Sequence, residues 1–306
     1  MKTVVGSTGF VGSNLMASGQ IDRGFHSTDI AEAYGLKPDL CIYAGLRAEK
    51  YLANSNPAKD MKAIEAAIEN IRKIDPVNLV LISTIDVFAS PKNVDESTVP
   101  SKESLLPYGY NRLILEERVR EMYPECLIVR LPGLYGRNIK KNFIFDCINR
   151  IPTMLKAEKM DALSLKEPSL RDYYGESVNG FCRVRVLSDK EKESLKAILE
   201  TVGFSALNFT DSRSRFQFYP LKRLRADIDK CLENGIKLFH PATEPVSAGE
   251  LYRYVYGRKF VNECAVPADY DYRTVYDGVF DGHDGYIMDK ESVLKDILNF
   301  IGEQSK

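Results

Sequence analysis

Through its first 135 residues the chain alternates short, unbroken apolar runs with segments of helical periodicity, and this alternation constrains the fold more than any other feature. "KTVV" (2–5) reads as a buried strand, and "GFVGSNLMA" opens a helix. "LCIYAG" (40–45) and "LVLIST" (79–84) are strands, while 57–74 and "LILEERVREMY" (113–123) have helical spacing. "CLIVRLPGLYG" (126–136) is a strand running into a loop. Strands alternating with helices imply βαβ units and a parallel sheet. Strands that are apolar at every position predict a sheet covered on both faces. After residue 136 the texture changes: 150–215 is charged and rich in Tyr and Lys, and 216–247 returns to strand, helix and strand.

The charge balance excludes several functions. There are 42 basic and 43 acidic side chains, a net charge of −1, and so no global basic field for nucleic acid or an anionic membrane. No apolar run reaches the roughly 18 residues of a membrane span. The N-terminal "MKTVVGSTGF" passes directly into structure, without the pattern of a signal peptide. The six cysteines, at 41, 126, 147, 182, 231 and 264, form neither a CxxC pair nor a zinc spacing, so no metal site is expected. Cys41 and Cys126 lie in apolar runs and read as small core residues. The expectation is a soluble, reduced, cytoplasmic protein.

Between the first strand and the first helix, "VVGSTGFVGSN" places Gly6, Gly9 and Gly12 in a GxxGxxG spacing. Glycines at a strand-to-helix turn let the backbone bend tightly and approach a pyrophosphate. This predicts a dinucleotide site built from Gly6, Thr8, Gly9, Phe10, Val11 and Gly12, with the pyrophosphate over Gly9 to Gly12. An acidic residue ending the second strand would favour NAD and basic ones NADP. Asp22, Arg23, His26 and Ser27 all lie nearby, so NAD or NADP stays open.

The GxxGxxG spacing resembles the extended short-chain dehydrogenase/reductase superfamily of nucleotide-sugar epimerases, dehydratases and reductases. Further segments match in order. Ala44–Gly45 is similar to that branch's Ala-Ala turn beside the cofactor. "STIDVF" (83–88) is similar to its Ser/Thr-x-x-Val-Tyr/Phe strand end, which implies a catalytic Thr84 with Ser83 beside the cofactor. "PYGYNR" (107–112) resembles Pro-Tyr-Gly-x-x-Lys, and "TDI" resembles an Asp-Ile/Leu adenine contact, giving Asp29. "STIDVF" and "KKNFIFD" together most resemble dTDP-4-dehydrorhamnose reductases. Three departures stand out. Arg112 replaces the lysine, no asparagine lies near Ala63, and the stretch from Gly12 to Asp39 is short, so a strand or helix of the cofactor half is trimmed.

A hydride transfer at a carbinol carbon needs a group that gives or takes the hydroxyl proton. A free tyrosine, with a pKa near 10, is a poor base at neutral pH, and a nearby cation lowers it. Tyr108 and Arg112 stand four apart and share a helix face. Tyr110 has Ile114 in that position, so Tyr108 alone has a cation in register. Arginine keeps the charge but cannot release a proton. The reading therefore gives Tyr108 as acid/base, Thr84 as its hydrogen-bond partner, and Arg112 as cation and ribose contact.

The resemblance implies a Rossmann-type α/β fold, a doubly wound parallel sheet with a smaller C-terminal substrate lobe. The sheet domain is expected over 1–136 plus about 216–241, and the lobe over 137–215 and 242–306. Arg137, Lys140, Lys141, Asn142, Arg213 and Arg215 are cations or amides suited to a substrate diphosphate, with Asn142 and Arg215 the chosen contacts. His26 reads as a surface residue and His240 as a core or turn histidine. The expected function is NAD(P)-dependent oxidoreduction, epimerisation or dehydration of a nucleotide-linked sugar by a homodimer paired through 57–74 and 108–123. The alternative is a non-catalytic dinucleotide sensor or scaffold, to which the Arg112 replacement points.

Overall fold

The computed structural model describes residues 1–304. Strands β1 (Lys2–Val5), β2 (Arg23–Phe25), β3 (Leu40–Tyr43), β4 (Leu79–Thr84) and β5 (Leu127–Leu131) join Leu238–Phe239 in a six-stranded sheet. The order is β2, β1, β3, β4, β5, Leu238–Phe239, with every pairing parallel. From β1 the chain steps outward to β2 and then crosses back to β3 on the other side of β1. That reversal is a topological switch point, and ligands of such sheets sit outside the carboxyl ends of the strands there.

The sheet shows why its strands carry no polar alternation. One face packs Val4, Ile42, Val80 and Val129 against Leu15 and against Leu224 and Ile228 of helix Leu224–Glu233. The other packs Val5, Cys41, Leu81 and Ile128 against Ile64 and Ile71 of one helix and Leu115 and Val119 of another. With both faces covered, the strand centres are apolar on both sides, and the buried polar residues Thr3, Ser83, Thr84 and Arg130 are the exceptions. Each fully buried aliphatic side chain contributes about 1.5–3 kcal/mol.

Local signals fix the helices that frame the site. α1 is Phe10–Met16, with Gly9 as its N-cap. α2 is the short Lys50–Ser55. α3 is Pro57–Ile74: the Asn56 side chain accepts from Lys59 N–H, Pro57 opens the first turn, and Asp75 closes it at φ +54°. α4 is Pro107–Met122, again opened by proline. The shortness of 12–39 shows as a three-residue β2 followed by only a 3₁₀ turn, Ile30–Ala33. The sheet ends at β2, where the common doubly wound order carries a further outer strand.

The chain forms two compact units. The first comprises Met1–Ile139, Arg215–Val246 and Asp269–Asp296; the second comprises Lys140–Ser214, Ser247–Ala268 and the chain from Ile297. The sequence grouped all of 242–306 with the lobe, whereas Asp269–Asp296 belongs to the sheet unit. Its backbone is tied there: Asn93 N–H donates to Asp271 O, Arg273 N–H donates to Val94 O, and Tyr272 N–H donates to Gln217. The second unit pairs Met154–Lys156 antiparallel with Phe181–Arg183 and buries Leu155, Met160, Leu170, Leu195 and Leu199.

Cys41 and Cys126 are free and buried, as their apolar surroundings predict. Among the described residues no helix is long and apolar enough to cross a membrane.

Candidate active site

The glycine turn lies at the carboxyl end of β1, beside the end of β3. Gly6 has φ +86°, and a Cβ there would lie 2.5 Å from Ala44 O, so the turn packs directly on Ala44–Gly45. A Cβ on Gly12 would lie 2.1 Å from Gly6 O, so this glycine lets α1 close on the loop. Gly9 differs: its Cβ would meet only Gly6 O, at 3.2 Å, and otherwise faces open space. Thr8 and Gly9 are exposed, and Phe10 and Val11 are partly so. Two glycines thus serve packing, and the third leaves bare backbone facing out. That fits a cradle for a pyrophosphate.

Tyr108 is the second residue of α4, and its N–H donates to Asn54 Oδ1 at 2.9 Å. Its phenol lies close to the Thr84 hydroxyl at the end of β4, close enough for Thr84 to favour the ionised phenol. Burial raises the Tyr108 pKa above the usual phenol value; Arg112 and Lys50 pull it down, and Asp86 pushes it up. The phenol is therefore protonated at neutral pH. Arg112 lies under the ring, its guanidinium 4.6 Å from the centroid. Its fork is engaged elsewhere: Nη1 donates to Asp60 Oδ2 at 3.0 Å, and Nη2 donates to Asp60 Oδ1 at 3.2 Å and to Arg47 O at 2.9 Å.

Three further residues complete the cluster, and sequence reasoning missed all of them. Lys50 Nζ pairs with Asp86 Oδ2 at 2.6 Å. Thr84 Oγ1 donates to the same Asp86 oxygen at 3.0 Å, and Asp86 N–H donates back to Thr84 Oγ1 at 3.2 Å. Tyr270 closes the group, its hydroxyl 3.5 Å from Asp86 Oδ1. Burial disfavours the Lys50 ammonium, but Asp86, Tyr270 and Tyr108 together outweigh it and raise its pKa. Lys50 and Tyr270 lie 58 and 162 positions from Tyr108, so no local spacing signals them. Asp86, by contrast, stands inside the quoted "STIDVF" and was legible as a carboxylate two residues past Thr84.

The remaining predicted residues are placed as follows. Asp29 accepts from His26 N–H and pairs with His26 Nε2 at 3.0 Å, just past β2. The Ser83 hydroxyl donates to Glu116, which is held by Arg130 in a buried pair. His240 is fully buried; burial, then the Arg130 charge, push its pKa down to about 3, so it is neutral. Asn142, in the second unit, sits at φ +90° and caps helix Phe143–Asn149 by accepting from Ile144 and Phe145 N–H. Arg215, in the sheet unit, is half-exposed, and its fork pairs with Asp269 and Asp271 at 3.2 and 3.3 Å. It lines a polar cavity of about 620 Å³ together with Arg273, Lys290 and His283. Tyr270 N–H donates to Arg215 O, which links this cavity wall to the Tyr108 cluster.

No family model and no curated protein matches the chain in sequence. Solved structures do match in fold. A dTDP-4-dehydrorhamnose reductase from Yersinia enterocolitica superposes with a TM-score of 0.63 at 13% identity, over 99% of both chains. One from Bacillus anthracis in complex with NADP gives 0.62 at 16% identity, over 99% of both chains. A UDP-glucose 4-epimerase from Thermotoga maritima with UDP-glucose gives 0.60 at 13% identity, over 100% of both. At such identities the likeness establishes the Rossmann-type α/β fold over the full length.

Proposed function

We propose that the protein is an NAD(P)-dependent enzyme that reduces, epimerises or dehydrates a nucleotide-linked sugar. The observation that carries this is the placing of Tyr108 beside Thr84, at the carboxyl end of β4 in the same sheet unit as the glycine cradle. Structures of the same fold include a reductase with NADP and an epimerase with UDP-glucose, which supports both halves of the reading.

NAD or NADP, when bound, supplies or takes up the hydride; Gly6, Gly9 and Gly12, with Ala44 and Gly45, would hold it. The protein's own work is on the proton. The Thr84 hydroxyl beside the phenol favours its ionised form, as does the Arg112 charge. A sugar oxygen entering beside the protonated phenol would accept a hydrogen bond from it and then the proton. The Arg112 charge beneath the ring stabilises the phenolate left behind. Asp29 and Ser83 are the proposed flanking cofactor contacts; Arg112, its fork held by Asp60 and the Arg47 carbonyl, keeps its proposed role as a charge beside the phenol and not as a ribose contact. Arg215 is the proposed diphosphate contact of the sheet unit, and Asn142 a proposed substrate contact of the second unit. A cytoplasmic homodimer paired through α3 and α4 belongs to the same reading, and sedimentation velocity distinguishes it from a monomer.

Tyr108→Phe tests the proposal. Turnover of the active sugar nucleotide should fall about 10²–10⁴-fold, the range for loss of a general acid. Binding of NADH or NADPH should be unchanged, because the ring and its packing remain. Undiminished turnover in the variant would remove Tyr108 from the chemistry.

A further inference from the structure

Arg112 stands where Tyr108's helix would present its activating cation, yet its hydrogen bonds are committed. Asp60, in the first turn of α3, takes both arms of the fork, and the Arg47 carbonyl takes another hydrogen. A guanidinium held this way ties α4 to α3. A second cation acts on the phenol from α2. Asn54 accepts from Tyr108 N–H, which fixes one face of α2 against the start of α4. Lys50 lies four residues before Asn54, one turn away on that same face. Its ammonium is held by Asp86, the carboxylate that also receives the Thr84 hydroxyl.

We propose that Lys50, positioned by Asp86, is a second cation that tunes Tyr108, acting from α2 beside the Arg112 charge on the tyrosine's own helix. Lys50 acts through Tyr108 and is a positioning residue. This rests on the acid role of Tyr108 argued above. No proton leaves Lys50; its charge offsets the one that appears on the phenol when Tyr108 gives its proton to the sugar oxygen. The charged groups that act on the phenol are Arg112 from α4, Lys50 from α2 and Asp86 from the turn after β4, with Asp60 behind Arg112 and the Tyr270 hydroxyl beyond Asp86. Lys50 and Asp86 act on the phenol in opposite senses. Lys50 is half-exposed, so its charge can be removed without emptying a core.

The test places 3,5-difluorotyrosine at position 108 in the full chain and follows its ¹⁹F resonance against pH, which needs no substrate. Lys50→Met should raise the phenol's ionisation midpoint by about half to one pH unit, the lower part of the range for a nearby opposite charge. Lys50→Arg should leave it nearly unchanged, and Asp86→Asn should lower it. Equal shifts in Lys50→Met and Lys50→Arg would show a packing role and overturn the proposal, as would no shift in Lys50→Met. Tyr108→Phe turnover fails or succeeds independently of this titration, so the acid role and the tuning role are separable.

Discussion

If Arg112 joins α4 to α3, its removal should appear first as lost stability. Arg112 and Asp60 are 4% and 13% exposed, so the pair is largely out of water. Breaking a buried pair by deleting one partner costs about 3–5 kcal/mol, because the other charge is left uncompensated. Asp60 is not left bare. It keeps the Asn111 Nδ2 bond at 2.8 Å and sits in the first turn of α3, where the helix dipole contributes about 0.3–1 kcal/mol. The net expectation for Arg112→Met is a loss of about 2–4 kcal/mol. Arg112→Lys keeps the charge but cannot span Asp60 and the Arg47 carbonyl together; losing a charge-assisted bond costs about 1.5–3 kcal/mol, of which part is regained.

The assay is equilibrium unfolding in urea, followed by far-ultraviolet circular dichroism because the chain has no tryptophan. Arg112→Met, Asp60→Asn and the double variant form a cycle, with an expected coupling of about 1–3 kcal/mol. Additive single variants, or a loss below about 0.5 kcal/mol in Arg112→Met, would refute the locking role.

Two more outcomes follow from the geometry. Gly9→Ala, whose Cβ meets only one carbonyl, should leave the fold intact and weaken NADH or NADPH binding by about tenfold or more, read by fluorescence titration. Gly12→Ala would press on Gly6 O and should lower the melting temperature as well, so unchanged affinity in folded Gly9→Ala removes the cradle. In the second unit, burial pushes the Asp146 carboxyl up to about 7. A raised carboxyl pKa means the folded state holds a proton that the unfolded state releases, so the stabilising effect is full below about pH 4 and lost as pH rises toward 7. Asp146→Asn should therefore melt higher than the parent at about pH 8 and equally at about pH 4; equal melting at both would show a solvated carboxylate.

The sequence by itself determined the parallel sheet, the glycine turn and the Thr84–Tyr108 pair. These depend on short-range patterns: unbroken apolar runs in the strands because both faces are covered, glycines spaced for a turn, and a tyrosine beside the proline that opens α4. It also showed that the 12–39 stretch was too short, though only the strand order reveals that the outer edge strand is what was lost. The tertiary structure decided which charges meet the tyrosine. Arg112 is four residues from Tyr108 and shares its helix face, yet Asp60 and Arg47, from other parts of the chain, take up its fork. Lys50 is 58 residues away and reaches the site because Asn54 docks α2 on the start of α4 and Asp86 draws in the ammonium. Spacing along a helix fixes which side chains share a face. Which of them keep a free charge depends on partners that only the folded chain brings within hydrogen-bond distance.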